Sequence, residues 1–372
     1  MLAVVLFHAS KYVPALGLRT GNGAFTHPLS LGYHGVDLFF VLSGYCLAFP
    51  TIARLHNGRP VDFDVAHYLA RRVARILPPY EIALWGFVFL LGLFAWRGWQ
   101  APADMLAPLD VGNVLRDTLL LDRDTTHVNQ SFWSLAIEFR WYFIFPLALA
   151  VWIRFPRVLW LLIGCCVFAS YATHAASTDV AYLPAFLLGI VAVDLELRRP
   201  PIVRFFPLLL IGALAAAFAF GLPAGVPVSI FWQVALFAFV VLAGCMPWLR
   251  AALSVPLLFE IGVASYSIYL VHQPLIALIA APVARRIANP LFAIMITSAI
   301  GVAGGLVFWY VVERSVTTAR AKGRLEALVK PLFDAGFEAL RLPRRIPFEL
   351  PLASTVGTVP RSHALPRTAV HE

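Results

Sequence analysis

Apolar residues run along this chain in long blocks, separated by short charged segments. Ten blocks, near 1–16, 35–53, 80–97, 132–153, 157–174, 181–197, 205–222, 229–247, 263–281 and 290–312, approach the ~20 residues a helix needs to cross hydrocarbon. The pattern predicts an all-α fold, a polytopic integral membrane bundle of about ten transmembrane helices. The first block is short for a span and opens at the initiator Met, so the natural reading frame is expected to start upstream. From Glu313 the chain turns polar. Leu325, Leu328, Val329, Leu332, Phe333, Phe337 and Leu340 recur there at helical spacing, broken by Pro331, which suggests an interfacial helix on an anionic leaflet. Disorder is expected beyond Pro343. The organisation is thus a membrane domain over 1–315 and a cytoplasmic tail over 316–372, amphipathic and then disordered.

Composition agrees with the pattern. Of 372 residues, 60% are hydrophobic and 13% charged, and the mean hydropathy is +0.79; a soluble domain has no use for so much apolar surface. The net charge of +9 sits mostly in loops and tail, where a basic cytoplasmic face explains it better than nucleic acid. Residues 51–79 carry five arginines against two aspartates, a net of +3, whereas 97–131 carry three arginines against five aspartates, a net of −2. The first segment is therefore placed inside and the second outside, and only Arg285 and Arg286 break the rule. Cys46, Cys165, Cys166 and Cys245 lie within apolar blocks, in no zinc-site spacing, and read as buried thiols. No cleavable signal peptide is expected, because the start lacks a basic n-region.

Polar residues inside these blocks are the candidates for chemistry. In the run Ser131–Pro146, helical winding puts Ser131, Ser134, Glu138 and Tyr142 near one face. A Glu138–Arg140 pair at a helix end is the plainer account. His8 lies in the first block as either a structural ring or a general base. Gly32–Pro50 brings His34 and Asp37 to the outer end of the second span and Ser43 with Gly44 into its middle, where small residues favour close packing. Arg71, Arg72 and Arg75 crowd one side of a turn. Plain inside-positive topology would account for them, and so would an anion site, since guanidinium groups grip phosphate in bidentate fashion. Ser265, Tyr269 and His272 share a face of the ninth block, as a packing network or a site. No metal or nucleotide motif is visible.

Six segments in order carry a resemblance: LFH at 6–8, GVDLFFVLSGY at 35–45, RRVARILPPY at 71–80, FWSLAIEFRWYFIFP at 132–146, SYSIYLVHQP at 265–274 and VVER at 311–314. Together they resemble the membrane-bound acyltransferase 3 family, which includes O-acetylases of bacterial surface polysaccharides. The resemblance spans about residues 1–315. It implies transfer of an acyl group, usually acetyl, from acyl-CoA as co-substrate to a hydroxyl of a sugar or related acceptor, at the inner cell membrane and with no permanently bound cofactor. His8 matches the family's essential histidine. Arg72 and Arg75 match its Arg-x-x-Arg motif, linked to the CoA donor, and Trp133, Ser134, Leu135 and Glu138 match its Trp-Ser-Leu…Glu segment. The family's arginine three turns before the histidine would precede Met1. Either the start codon lies upstream, the favoured account, or the chain is an inactive remnant.

The expected mechanism follows. CoA phosphates dock on Arg71, Arg72 and Arg75, and His8 takes the acceptor hydroxyl's proton, a step worth roughly 10²–10⁴-fold. Glu138 or Asp37 orients the imidazole as a triad acid does, and Ser134, Tyr142, Tyr269 and His272 complete the polar core. A relay through an acyl-histidine stays open. The expected partners are the lipid bilayer, a cytoplasmic acyl-CoA and a glycan or glycolipid acceptor, with no nucleic acid. A transporter or flippase of a glycan is the rival class; it explains buried Glu138 and His272 but not the paired arginines. A non-catalytic membrane scaffold gains only from the short start.

Overall fold

The computed structural model describes residues 1–11, 28–99, 111–121, 128–173, 178–221 and 229–349. Helices dominate them. In chain order they are α1 (Leu2–Lys11), α2 (Gly35–His56), α3 (Val65–Trp96), α4 (Val111–Thr118), α5 (Phe132–Arg154), α6 (Pro156–Ala172), α7 (Thr178–Arg198), α8 (Phe206–Gly221) and α9 (Ser229–Cys245). There follow α10 (Pro247–Leu253), α11 (Pro256–Val263), α12 (Ser265–Leu275), α13 (Ala281–Ala284), α14 (Pro290–Phe308), α15 (Arg314–Val316) and α16 (Ala319–Ala339). Two short strands, β1 (Val61–Asp64) and β2 (Arg345–Phe348), pair antiparallel.

The molecule is a multi-pass membrane protein, but the count of about ten crossings is not reached on helix length. Among the described residues six helices are long and apolar enough to cross a bilayer, and up to eight if each of two bent helix pairs is one span. The pairs are α9 with α10, bent by 102°, and α11 with α12, bent by 76°. At the first bend Pro247 opens the new helix, where its missing N–H costs nothing. The blocks at 1–16 and 157–174 appear as the short apolar helices α1 and α6, of 10 and 17 residues. Residues 12–16 lie outside the described residues.

The tightest crossing is α2 on α7. A Cβ at Gly44 would run into the Phe186 carbonyl, and one at Gly189 into the Val41 carbonyl, so both positions need hydrogen for the two backbones to touch. Phe40, Trp141, Phe145 and Phe186 fill the space beside this crossing.

Two expectations are corrected here. The apolar block of the third span was read from 80 to 97; the helix that carries it, α3, begins earlier, at Val65, and runs through Pro78 and Pro79. Asp64 starts it by accepting from the His67 N–H at 2.8 Å. The Tyr266 hydroxyl donates to the Ile76 carbonyl at 2.8 Å, tying α12 to α3 just before the proline pair. Arg71, Arg72 and Arg75 are thereby carried on one rigid helix. The tail beyond Pro343 is also ordered at first: Val61 faces Phe348 and Asp64 faces Arg345 across the strand pair. Residues 350–372 lie outside the described residues.

Candidate functional site

Two imidazoles meet inside the bundle. His8 on α1 and His272 on α12 are both buried, with ring centroids 5.1 Å apart and planes at 62°. His272 Nδ1 lies 3.0 Å from the carbonyls of Ile268 and Tyr269. Carbonyls only accept, so Nδ1 carries the hydrogen and the neutral ring presents the lone pair of Nε2. That Nε2, and Nδ1 of His8, have no hydrogen-bond partner among the described residues. Two buried nitrogens left without partners are costly unless something else occupies the space between them.

Beside the pair, α5 supplies the polar face its sequence predicts. Ser131 donates to Gln273 at 2.5 Å. Ser134 and the Tyr269 hydroxyl are hydrogen-bonded, and Tyr269 also donates to the Ser131 carbonyl. The Tyr269 ring lies 5.9 Å from that of His272. One turn further along α5, about 6 Å in rise, Glu138 accepts from Ser43 and is hydrogen-bonded to Tyr142. Arg72 and Arg75 stand close enough to act on the Glu138 carboxylate through space. Near them Ser267 donates to Glu313 at 2.5 Å, and Arg75 acts on that carboxylate too.

The carboxylates are not where the expected mechanism put them. Glu138 is joined to Ser43 and Tyr142, and Asp37, fully buried, is joined to His34 at 2.8 Å; neither has a hydrogen bond to His8. The ionisable ring that packs against His8 is His272. Glu138 and Arg140 do not pair either. Two residues apart on a helix they point some 200° apart, and Arg140 makes a bidentate bridge to Asp179 instead, at 3.0 and 2.9 Å. Ser43, whose smallness argued for packing, is a ligand of Glu138. Its spacing from α5 in sequence gave no sign of this, because only the α2–α5 crossing brings the two together.

The two ends of the site differ in chemistry. At one end are Arg71, Arg72 and Arg75; Arg71 is exposed and 4.0 Å from Glu326, and Nε of Arg72 is buried without a partner among the described residues. At the other end the rings crowd. His34 stacks on Trp232 at 4.3 Å, the hydroxyls of Tyr33 and Tyr182 are 2.7 Å apart, and Trp133 packs between those two tyrosines. The sequence singled out neither Trp232 nor Tyr182, which lie outside the six motif segments.

A "Putative peptidoglycan O-acetyltransferase YrhL" from Bacillus subtilis (strain 168) is 29% identical over 156 residues, which make up 38% of this chain and 24% of that protein. The chain thus matches about a quarter of that relative's length. No solved structure matches. The family model described as an acyltransferase domain, of the acyltransferase 3 type, matches residues 1–312. With that match covering most of the sequence, both histidines and the arginine cluster among it, the chain belongs to the acyltransferase 3 family.

Proposed function

We propose that the protein is an O-acyltransferase of the inner cell membrane, moving an acetyl group from acetyl-CoA to a hydroxyl of a surface glycan or glycolipid. The observation that carries this reading is the pair of facing imidazoles with unpartnered ring nitrogens, set between an arginine cluster and an aromatic mouth. The arginine end faces the cytoplasm on the charge of its loops. It receives the phosphates of the donor on Arg71, Arg72 and Arg75, and the thioester reaches into the bundle toward the histidines.

The chemistry needs one base. The acceptor oxygen bonds to the thioester carbonyl carbon while His8 takes its proton. The C–S bond then breaks, and the CoA thiolate leaves and recovers a proton from the imidazolium. His272, held in one tautomer by its own helix, packs its ring edge-on against His8 and positions that imidazole by contact, without the hydrogen bond that a triad acid makes. Glu138, compensated by Arg72 and Arg75, fixes the junction of α2, α3 and α5 through Ser43 and Tyr142.

Mass spectrometry of surface glycans from producing cells, with and without this gene, tests the reading, paired with transfer from labelled acetyl-CoA in isolated membranes. Acetyl groups that depend on the gene in both assays are expected. Glycans whose amount at the surface changes while their acetylation does not would favour the transport reading and sink this one.

A further inference from the structure

The family match ends at residue 312, yet the chain that follows is fastened across the arginine cluster. The Thr317 hydroxyl donates to the Glu313 carbonyl at 2.5 Å, and Thr318 caps α16 by accepting from the Ala321 N–H at 3.2 Å. At the far end β2 completes the strand pair, with Arg345 on Asp62 at 2.6 Å, Arg154 donating to the Pro347 carbonyl at 2.9 Å and the Val65 N–H to the Arg344 carbonyl at 3.0 Å. Between these clamps α16 lies along α3 and meets α5 at Phe143. Leu325, Val329, Phe333 and Phe337 are turned inward and half-buried, with the Phe333 ring 6.2 Å from Phe143, whereas Leu328, Leu332 and Leu340 are exposed.

On the inward face, one turn apart, are Lys322 and Glu326. Glu326 approaches Arg71 at 4.0 Å. Lys322 is within electrostatic reach of Arg75, Arg71 and Arg72; partial burial, and then those like charges, pull its pKa below the ordinary lysine value. Four cations of two helices thus face each other, with the Glu326 carboxylate among them. Holding like charges this close costs free energy unless an anion is meant to come between them. The Arg72 Nε buried without a partner points the same way.

We propose, resting on the donor site above, that α16 is the second wall of that site: Lys322 is a fourth phosphate-binding residue, and Glu326 is the carboxylate that the incoming phosphate displaces from Arg71. The ligand is a phosphate group of the donor; an anionic lipid carries the same chemistry, and the test separates the two. The test is steady-state acetyl transfer by the full chain in vesicles, with acetyl-CoA and with S-acetyl-N-acetylcysteamine, a thioester without phosphates. Lys322→Ala should raise KM for acetyl-CoA about five- to tenfold, the size of one half-exposed charge-assisted contact. It should leave kcat within about twofold, leave the short thioester unaffected, and be rescued largely by Lys322→Arg. Glu326→Gln should lower that KM about two- to fourfold. These shifts should hold in pure phosphatidylcholine and persist with added phosphatidylglycerol.

An unchanged acetyl-CoA KM in Lys322→Ala, or an equal loss with the short thioester, would overturn the role of α16. An effect confined to phosphatidylglycerol vesicles would assign Lys322 to lipid phosphate and overturn it too. Failure of the underlying donor reading looks different: Arg72→Ala would then also leave the acetyl-CoA KM unmoved.

Discussion

The two ends of the bundle are built from different materials. At the arginine end every buried carboxylate of the site answers to a cation: Glu138 to Arg72 and Arg75, Glu313 to Arg75. Glu326 approaches Arg71, and with it counted the four cations Arg71, Arg72, Arg75 and Lys322 still outnumber the three carboxylates. At the aromatic end Asp37 is matched by His34 with Gln233 beside it, and the rest is mostly ring surface and hydroxyl: Tyr33, Trp133, Tyr182 and Trp232. An excess of fixed positive charge suits a polyanion. Ring faces edged with hydroxyls suit a neutral, polyhydroxylated molecule, which offers C–H faces to stack and O–H groups to bond. On the proposed function, donor and acceptor would enter from opposite ends and meet at the histidines, so chemistry, donor binding and acceptor binding should fail separately.

The largest effect is expected where the two ends meet. His8→Ala should cut acetyl transfer in membranes by roughly 10²–10⁴-fold for either donor, because it removes the base. His8→Gln should fare no better, since an amide cannot take the proton. A small residue in place of a ring on α1 should leave insertion intact, so activity is read per unit of protein in the membrane. Substantial turnover in well-inserted His8→Ala would end this mechanism and move the base to His272.

Next in size is the arginine end itself. Charge-assisted bonds to phosphate are worth ~1.5–3 kcal/mol each, so Arg72→Ala or Arg75→Ala should raise the acetyl-CoA KM about ten- to hundredfold, and lysine should substitute poorly at a bidentate contact. The acceptor KM should not follow. Rising ionic strength should weaken the donor and spare the acceptor, since only the first is drawn in by net charge. Equal salt sensitivity of both substrates would break the contrast between the ends.

How much of this was legible in advance depended on the range of the interaction. The apolar blocks, the crowding of three arginines on one turn and the polar face of α5 are local patterns, set by helical periodicity, and each appears in the structure as a helix or a helix face. Partners were less legible. Glu138 seemed to have a neighbour in Arg140, but helix geometry sends the two side chains apart. Its bonds to Ser43 and its nearness to Arg72 arise where α2, α3 and α5 cross. The ladder of β1 with β2 joins four-residue segments some 280 positions apart, too short to show an alternating pattern and too distant to suggest a hairpin. The start of α3 was not legible for a local reason: a proline pair ordinarily ends a helix, and here the helix runs on through Pro78 and Pro79 from Val65.

The smallest effect, and the finest test of the contrast, belongs to Tyr33. Its ring is 37% exposed, lies 5.9 Å from Phe7 beside His8, and stacks at 6.5 Å on Trp133, while its hydroxyl shares a hydrogen bond with Tyr182. Tyr33→Phe keeps the ring and removes one hydroxyl, so the loss should be that of a single neutral hydrogen bond, ~0.5–1.5 kcal/mol. If that hydroxyl or its Tyr182 partner meets the acceptor, the acceptor KM should rise about two- to tenfold, with kcat and the acetyl-CoA KM unchanged. Tyr33→Ala should do more, because the stacking face goes as well. The measurement is a full two-substrate matrix in membranes, varying the purified glycan against acetyl-CoA. A shift in the donor KM with the acceptor KM still would mean that the aromatic end serves the donor, and the division of labour between the two ends would have to be redrawn.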